Sequence, residues 1–203
     1  MSDCTLSAEV QIPRYIRVNT LLYKTQEFLL FLTTNGWRIK ETNTNIKDYN
    51  EFLLLVNNLN NDEFLHDYNV KDVFVFPKNS SKFWATHELA NESKILLQDK
   101  VCPLLNEIVF LFNFIFLFKA TCLAGSLLDP PFGSTTLDMC AAPGMKTTHL
   151  AAIIKNRGKI YAIEQNLERY QLLCKYVKNS KSKSVQTINC DALKLSKSNG
   201  KYF

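Results

Sequence analysis

Residues 137–149, LDMCAAPGMKTTH, are the stretch whose residue types and spacing could do chemistry. An apolar approach through Thr135, Thr136 and Leu137 runs into Asp138, then into a turn of small side chains, then into residues that can open a helix. Ala141, Ala142 and Gly144 leave the backbone bare enough for a ligand to lie against it, and Pro143 stiffens the turn before any ligand arrives. A helix starting there aims its unpaired N–H groups at the loop, an end that suits a carboxylate or a phosphate. The segment has neither GxGxxG nor GxxxxGKS/T, so the dinucleotide and P-loop readings fail at the residue level.

Two later apolar runs end in acids in the same way. Residues 158–164, GKIYAIE, read as a strand closing on Glu164, and residues 185–188 lead through Asn189 and Cys190 to Asp191. Three such strands side by side place Asp138, Glu164 and Asp191 on one rim of a sheet, where Rossmann-like folds grip ribose hydroxyls. Acids on one rim disfavour a polyphosphate and favour a cofactor with hydroxyls, an amine and a cationic centre. S-adenosyl-L-methionine has that chemistry.

The elements that must hold this rim follow from pattern. Residues 147–155 read as a helix closed by Gly158, residues 167–178 as another with Leu172, Leu173, Tyr176 and Val177 inward, and residues 185–188 as a third strand. Upstream, residues 12–19 read as a strand carrying Arg14 and Arg17, and Thr20 as the cap of a helix running to Leu32 and stopped near Gly36. Trp37 to Ile39 and the VFVF run ending at Pro77 suggest further strands. Residues 91–100 look helical, and residues 120–128 continue in small and apolar side chains. His66, His87 and His149 have no partner at ligand spacing and read as structural or exposed, and no metal is implied.

The chain has 203 residues, 46% of them hydrophobic, and a formal net charge of +5, enough for one domain or two small ones. Positive charge is concentrated in residues 155–201, which fits contact with a polyanion such as RNA or, equally, a solvated lysine-rich surface. Six cysteines without a CxxC spacing read as free thiols in a reducing compartment. The first fifteen residues lack the basic start and apolar core of a secretory signal.

The string DMCAAPGMKT resembles the first motif of the Sun-domain RNA cytosine-C5 methyltransferases, the family that includes bacterial RsmB. The run PRYIRVNT at 13–20, LLQDK at 96–100, ATC at 120–122 and LLDPP at 127–131 resemble the same family, nearest its large-subunit ribosomal RNA branch. The resemblance implies an α/β, Rossmann-like methyltransferase fold over residues 91–203, truncated after the third strand, behind a small α+β unit of RNA-binding type over residues 1–90. It implies S-adenosyl-L-methionine as cofactor, with Cys140, Ala141, Ala142, Pro143, Gly144, Met145 and Lys146 along its methionine end, Glu164 on the ribose, Arg169 as a further contact and Asp191 facing the adenine. Arg14 and Arg17 would contact RNA, expected to be ribosomal RNA, and the nucleus, specifically the nucleolus, would be the site of action. Gly144-Met145-Lys146 stands where the family often has Gly-Gly-Lys, and Glu164 where Asp is commoner.

Cytosine C5 is a weak nucleophile, so this enzyme class adds a thiolate to C6, methylates C5 and then removes the C5 proton. In the family the thiolate comes from a Thr-Cys motif after a later strand and a second cysteine from a Pro-Cys motif. Neither motif occurs between Asp191 and Phe203, the last residue of the sequence. The catalytic cysteine is therefore expected beyond Phe203, no catalytic residue is assigned within the chain, and the chain alone is expected to be inactive. Cys140 belongs to the cofactor loop, and Cys122 precedes the first strand. The alternative is a non-catalytic fragment or pseudoenzyme that binds RNA or cofactor.

Residues 101–119, VCPLLNEIVFLFNFIFLFK, interrupt the resemblance, and their removal restores LLQDKATCLAGSLLDPP. A membrane span needs roughly 20 apolar residues and would have to carry Asn106, Glu107 and Asn113. A core helix would be apolar on nearly every face with nothing to cover it. A translated intron accounts for the Val-Cys start, the Phe and Leu codons and the final Lys119, and it is the reading favoured over a functional insertion; no membrane partner is.

Overall fold

The computed structural model describes residues 13–40, 48–97 and 115–195, with side chains from residue 122 to 194 in the last stretch. The N-terminal half is assembled on β1 (Arg14–Val18), every residue of which is buried. After it come α1 (Thr25–Thr34), β2 (Arg38–Ile39), α2 (Tyr49–Asn57), β3 (Glu63–His66), β4 (Val73–Phe76), a 3-10 turn (Lys78–Ser80), α3 (Ser81–Thr86), α4 (Glu88–Asn91) and β5 (Ile95–Leu97). The strands form one sheet in the order β2-β3-β4-β1-β5, with β2 parallel to β3 and the other pairs antiparallel.

Both faces of this sheet are covered, which is why β4 is apolar at every position rather than alternating. Phe74 and Phe76 join Ile16, Val18, Phe28, Leu32 and Trp84 under α1 and α3. Val73 and Val75 join Tyr15, Phe52, Val56 and Leu65 under α2, and Cys122 from the second half of the chain enters the same cluster. Helix α2 starts because Asp48 accepts a hydrogen bond from the Glu51 N–H, and it turns Phe52 and Val56 inward one helical turn apart.

The second half alternates helix and strand: α5 (Ile115–Leu128), β6 (Thr135–Asp138), α6 (Met145–Ile153), β7 (Lys159–Glu164), α7 (Leu167–Asn179), β8 (Val185–Asn189) and α8 (Ala192–Leu195). Its sheet is parallel in the order β6-β7-β8, with Asp138 opposite Ala162 and Glu164 opposite Asn189. Helical crossovers between parallel neighbours make this a Rossmann-like α/β sheet, as expected from the sequence. Helix α6 is buried from Thr147 to Ala152, packed against both α5 and the strand β7.

Several expectations are corrected. Of the residues 91–100 expected as a helix, Asn91 ends α4, residues 92–97 are not helical and Ile95–Leu97 pair antiparallel with β1, while residues 98–100 lie outside the described residues. Thr20 does not open α1, because the Asn19 side chain accepts from the Leu21 N–H and draws residues 20–23 into a turn. Leu172 faces solvent while Leu173 is fully buried. Residues 101–114 lie outside the described residues, and residues 115–119 open α5. Residues 196–203 also lie outside them, so Phe203, the position beyond which the catalytic cysteine is expected, is not among the described residues. Among the described residues no helix is long and apolar enough to cross a membrane.

Candidate cofactor-binding site

Strand β6 ends at Asp138, and that carboxylate organises the turn after it. One oxygen accepts from the Cys140 N–H at 3.3 Å and the other from the Thr147 hydroxyl at 2.8 Å, so the acid ties the start of the loop to the first turn of α6. The Ala141 N–H donates to the Ile163 carbonyl of β7 at 2.9 Å, which lays the loop across the sheet's end. The Ala142 carbonyl accepts from the Arg169 guanidinium at 3.0 Å, and Arg169 also lies 3.6 Å from the Glu164 carboxylate. The Ala142–Pro143 bond is cis.

Gly144 is the N-cap of α6 with φ 112°, a left-handed conformation that disfavours any side chain. A Cβ there would also sit 3.1 Å from Leu173 of α7, so the loop lies close over that helix. The first bond of the α6 ladder runs from the Thr148 N–H to the Gly144 carbonyl at 2.8 Å. The N–H groups of Met145, Lys146 and Thr147 therefore precede the ladder and have no partner within the helix, leaving an anion-binding end at the loop.

Glu164 closes β7, is 6% exposed and accepts from the Asn166 N–H at 3.0 Å. Asn189, opposite it on β8, donates to the Glu164 and Gln165 carbonyls and fixes the neighbouring turn. Asp191, two residues beyond β8, accepts from the Leu193 N–H at 3.0 Å. The cofactor-site residues expected from the sequence thus gather at the C-terminal ends of three neighbouring parallel strands, where open α/β sheets bind their ligands. Arg169 reaches the rim through Ala142 and Glu164, as a brace of the loop.

Arg14 and Arg17, expected to contact RNA, are both buried on β1. Arg14 donates to the Ser81 carbonyl at 3.1 Å. Arg17 is 1% exposed and reaches α6, donating to the Thr148 hydroxyl at 2.9 Å and the Met145 carbonyl at 3.4 Å. Burial lowers its pKa to about 10, so it remains a cation at neutral pH. Two residues on, the Asn19 amide donates to the Ser93 carbonyl of its own half and to the Ser180 carbonyl at the end of α7, both at 3.0 Å. Thr147, Thr148, Asn19 and Asn189 were not expected as site residues; the available signal was a pair of polar side chains two residues apart, Arg17 on a buried strand and Asn19 just past its end.

His149 is buried against α5, His87 accepts from the Leu89 N–H at the start of α4, and His66 packs on the Phe74 ring. Among the described residues no cluster of His, Cys, Asp and Glu could hold a metal ion. Of the described cysteines Cys140 is exposed in the loop, Cys122 is buried, and Cys174 and Cys190 are half-buried.

A parallel sheet with a small-residue loop after its first strand, an acid ending the second and another just past the third defines a methyltransferase-type cofactor domain, here packed on an α+β unit. Residues 125–203 match the family described as 16S rRNA methyltransferase RsmB/F, and residues 12–98 match the ferredoxin-like domain of NOL1/NOP2/Sun domain family member 5. The chain belongs to the Sun-domain RNA cytosine-C5 methyltransferase family. It is 40% identical over 183 residues to the 28S rRNA (cytosine-C(5))-methyltransferase of Drosophila melanogaster, across 90% of this chain and 38% of that protein. It is 33% identical to the 26S rRNA (cytosine-C(5))-methyltransferase nsun-5 of Caenorhabditis elegans, across 92% of this chain and 37% of that one. The crystal structure of a methyltransferase homolog protein from Pyrococcus horikoshii shares the fold, with TM-score 0.61 at 21% identity over 93% of this chain and 47% of its own. The chain therefore spans little more than a third of the length of these curated relatives, and the two family matches leave residues 99–124 between them.

Proposed function

We propose that this chain carries the RNA-binding-type unit and the cofactor-binding half of an S-adenosyl-L-methionine-dependent ribosomal RNA cytosine-C5 methyltransferase. The observation that carries the reading is the rim itself: a left-handed glycine opening α6, three N–H groups ahead of its ladder, and Glu164 and Asp191 at the ends of the adjacent strands. The methionine carboxylate would lie at Met145, Lys146 and Thr147, the small side chains of Cys140, Ala141 and Ala142 would let the sulfonium lie close, Glu164 would take the ribose hydroxyls and Asp191 would face the adenine. When bound, the cofactor supplies an electrophilic methyl group. The substrate is RNA in which a cytosine is unstacked and splayed out, and the exposed Lys159, Lys175, Lys178 and Lys181 supply positive surface for its backbone. The reading places the work in the nucleus, at the nucleolus.

Calorimetric titration of the chain with S-adenosylhomocysteine tests the cofactor half of this reading. One site is expected, lost on Glu164→Ala; an absence of binding overturns it. Incubation with methyl-tritiated S-adenosyl-L-methionine and ribosomal RNA is expected to transfer no label, since the exposed Cys140 belongs to the loop on which the cofactor lies. Retention of label on RNA by this chain would overturn the division of labour and would make Cys140 the thiol to test.

A further inference from the structure

Arg17 is electrostatically misplaced for stability. It forms no ion pair among the described residues, its Nε and Nη1 are buried without hydrogen-bond partners, and its Nη2 is bound to the first turn of α6. That turn is the positive end of the helix macrodipole, where a cation is disfavoured and an anion favoured. Of the two acidic groups that act on Arg17, the Cys122 thiol comes first and Asp72 second, and Asp72 already accepts from the Thr25 hydroxyl at 2.7 Å. A buried unpaired guanidinium is strongly disfavoured by desolvation unless something offsets it.

The offset lies in what the turn faces. Thr148 accepts from Arg17 and donates to the Met145 carbonyl, while Thr147 beside it holds Asp138. One brace thus runs from β1 through the first turn of α6 to the loop. We propose that Arg17 is a positioning residue for the cofactor loop: from the N-terminal unit it fixes the first turn of α6 and adds positive charge behind the N–H groups that receive an anionic ligand group. The ligand group of matching chemistry is the amino-acid carboxylate of the cofactor, so the inference rests on the reading above. It makes the N-terminal unit a part of the cofactor site as well as a platform for RNA.

The test uses two ligands that differ in that carboxylate, S-adenosylhomocysteine and 5′-methylthioadenosine, titrated into the wild-type chain and its Arg17→Met, Arg17→Lys and Thr148→Val variants. Arg17→Met is expected to raise Kd for S-adenosylhomocysteine roughly tenfold, the scale of one hydrogen bond to a charged group, and to leave 5′-methylthioadenosine within about twofold. Arg17→Lys keeps the charge and should recover part of the loss. Thr148→Val should lose affinity in the same ligand-selective way, with little further loss when combined with Arg17→Met. Trp84→Phe, a destabilising change in the core beneath α1 and α3, is the control and should lower Tm without altering either Kd. Equal losses for both ligands, or no loss for either in a folded Arg17→Met variant, overturn the inference and leave the cofactor reading standing. Failure of the wild-type chain to bind either ligand overturns both.

Discussion

The buried imidazole of His149 makes the cofactor helix acid-sensitive. It sits on α6 at 5% exposure, against Gly125 of α5 and within reach of the Arg17 charge. Burial first, and the Arg17 cation second, push its pKa down to about 3, while a hydrogen bond with the Cys122 backbone pulls weakly the other way. An unfolded chain protonates the same group near 6.5. Above pH 6.5 both states are neutral and the full stability is present; below it, the unfolded chain takes up a proton that the folded chain refuses. Each pH unit then costs about 1.4 kcal/mol, or about 2 kcal/mol at pH 5, until the loss levels off near pH 3. Against a total stability of about 5–15 kcal/mol this is large. Urea unfolding of the wild type and of His149→Gln between pH 7.5 and 4.5 isolates the effect, because other titrating groups contribute equally to both. The wild-type curve should fall faster by about one proton's worth of slope, and parallel curves would refute the argument.

Gly144→Ala places a Cβ 3.1 Å from Leu173 at φ 112° and should cost about 1–3 kcal/mol and abolish measurable S-adenosylhomocysteine binding. Thr147→Val removes the hydroxyl that Asp138 accepts and should lower stability by about 1–3 kcal/mol in urea, with weaker ligand binding as the loop loosens. Asn19→Ala strips hydrogen bonds from the Ser93 and Ser180 carbonyls and should lower stability by about 2 kcal/mol or more, with faster proteolysis between the two halves. Deletion of residues 101–119 should leave Tm and ligand affinity within error, since Cys122 in the sheet's second cluster and Gly125 against His149 lie beyond it; a chain that no longer folds would make the segment part of the structure.

The cofactor turn was legible because its chemistry is local: Asp138, the small side chains, Gly144 and the helix opening lie within eleven residues and need no distant partner. Strand β4 was legible for a similar reason, since VFVF followed by proline admits few other conformations. Residues 91–100 misled because Ile95 to Leu97 take their conformation from pairing with β1, where Ile95 lies opposite Val18, and no local preference announces that partner. Leu172 and Leu173 differ by one helical step, and the loop residues together with Ala162 of β7 decide which is covered. Arg17 and Asn19 were visible as polar residues in a strand, but their partners lie 131 and 161 residues further along the chain.

Strand β1 is where these lines meet. It pairs with β4 and β5, gives Ile16 and Val18 to the cluster beneath α1, gives Tyr15 to the one that Cys122 of α5 completes, and sends Arg17 to α6 and, just past its end, Asn19 to α7. Helices α6 and α7 flank the cofactor loop, one beginning at Gly144 and the other carrying Leu173 beneath it and Arg169 beside it. A displacement of β1 would therefore move both walls of the loop, and a ligand that stiffens the loop must stiffen β1. Buried polar contacts suit such coupling better than an apolar seam would, because they have one satisfied geometry and cost free energy when misaligned. RNA engaging the N-terminal unit should accordingly change cofactor affinity, and the cofactor should change RNA affinity by the same factor.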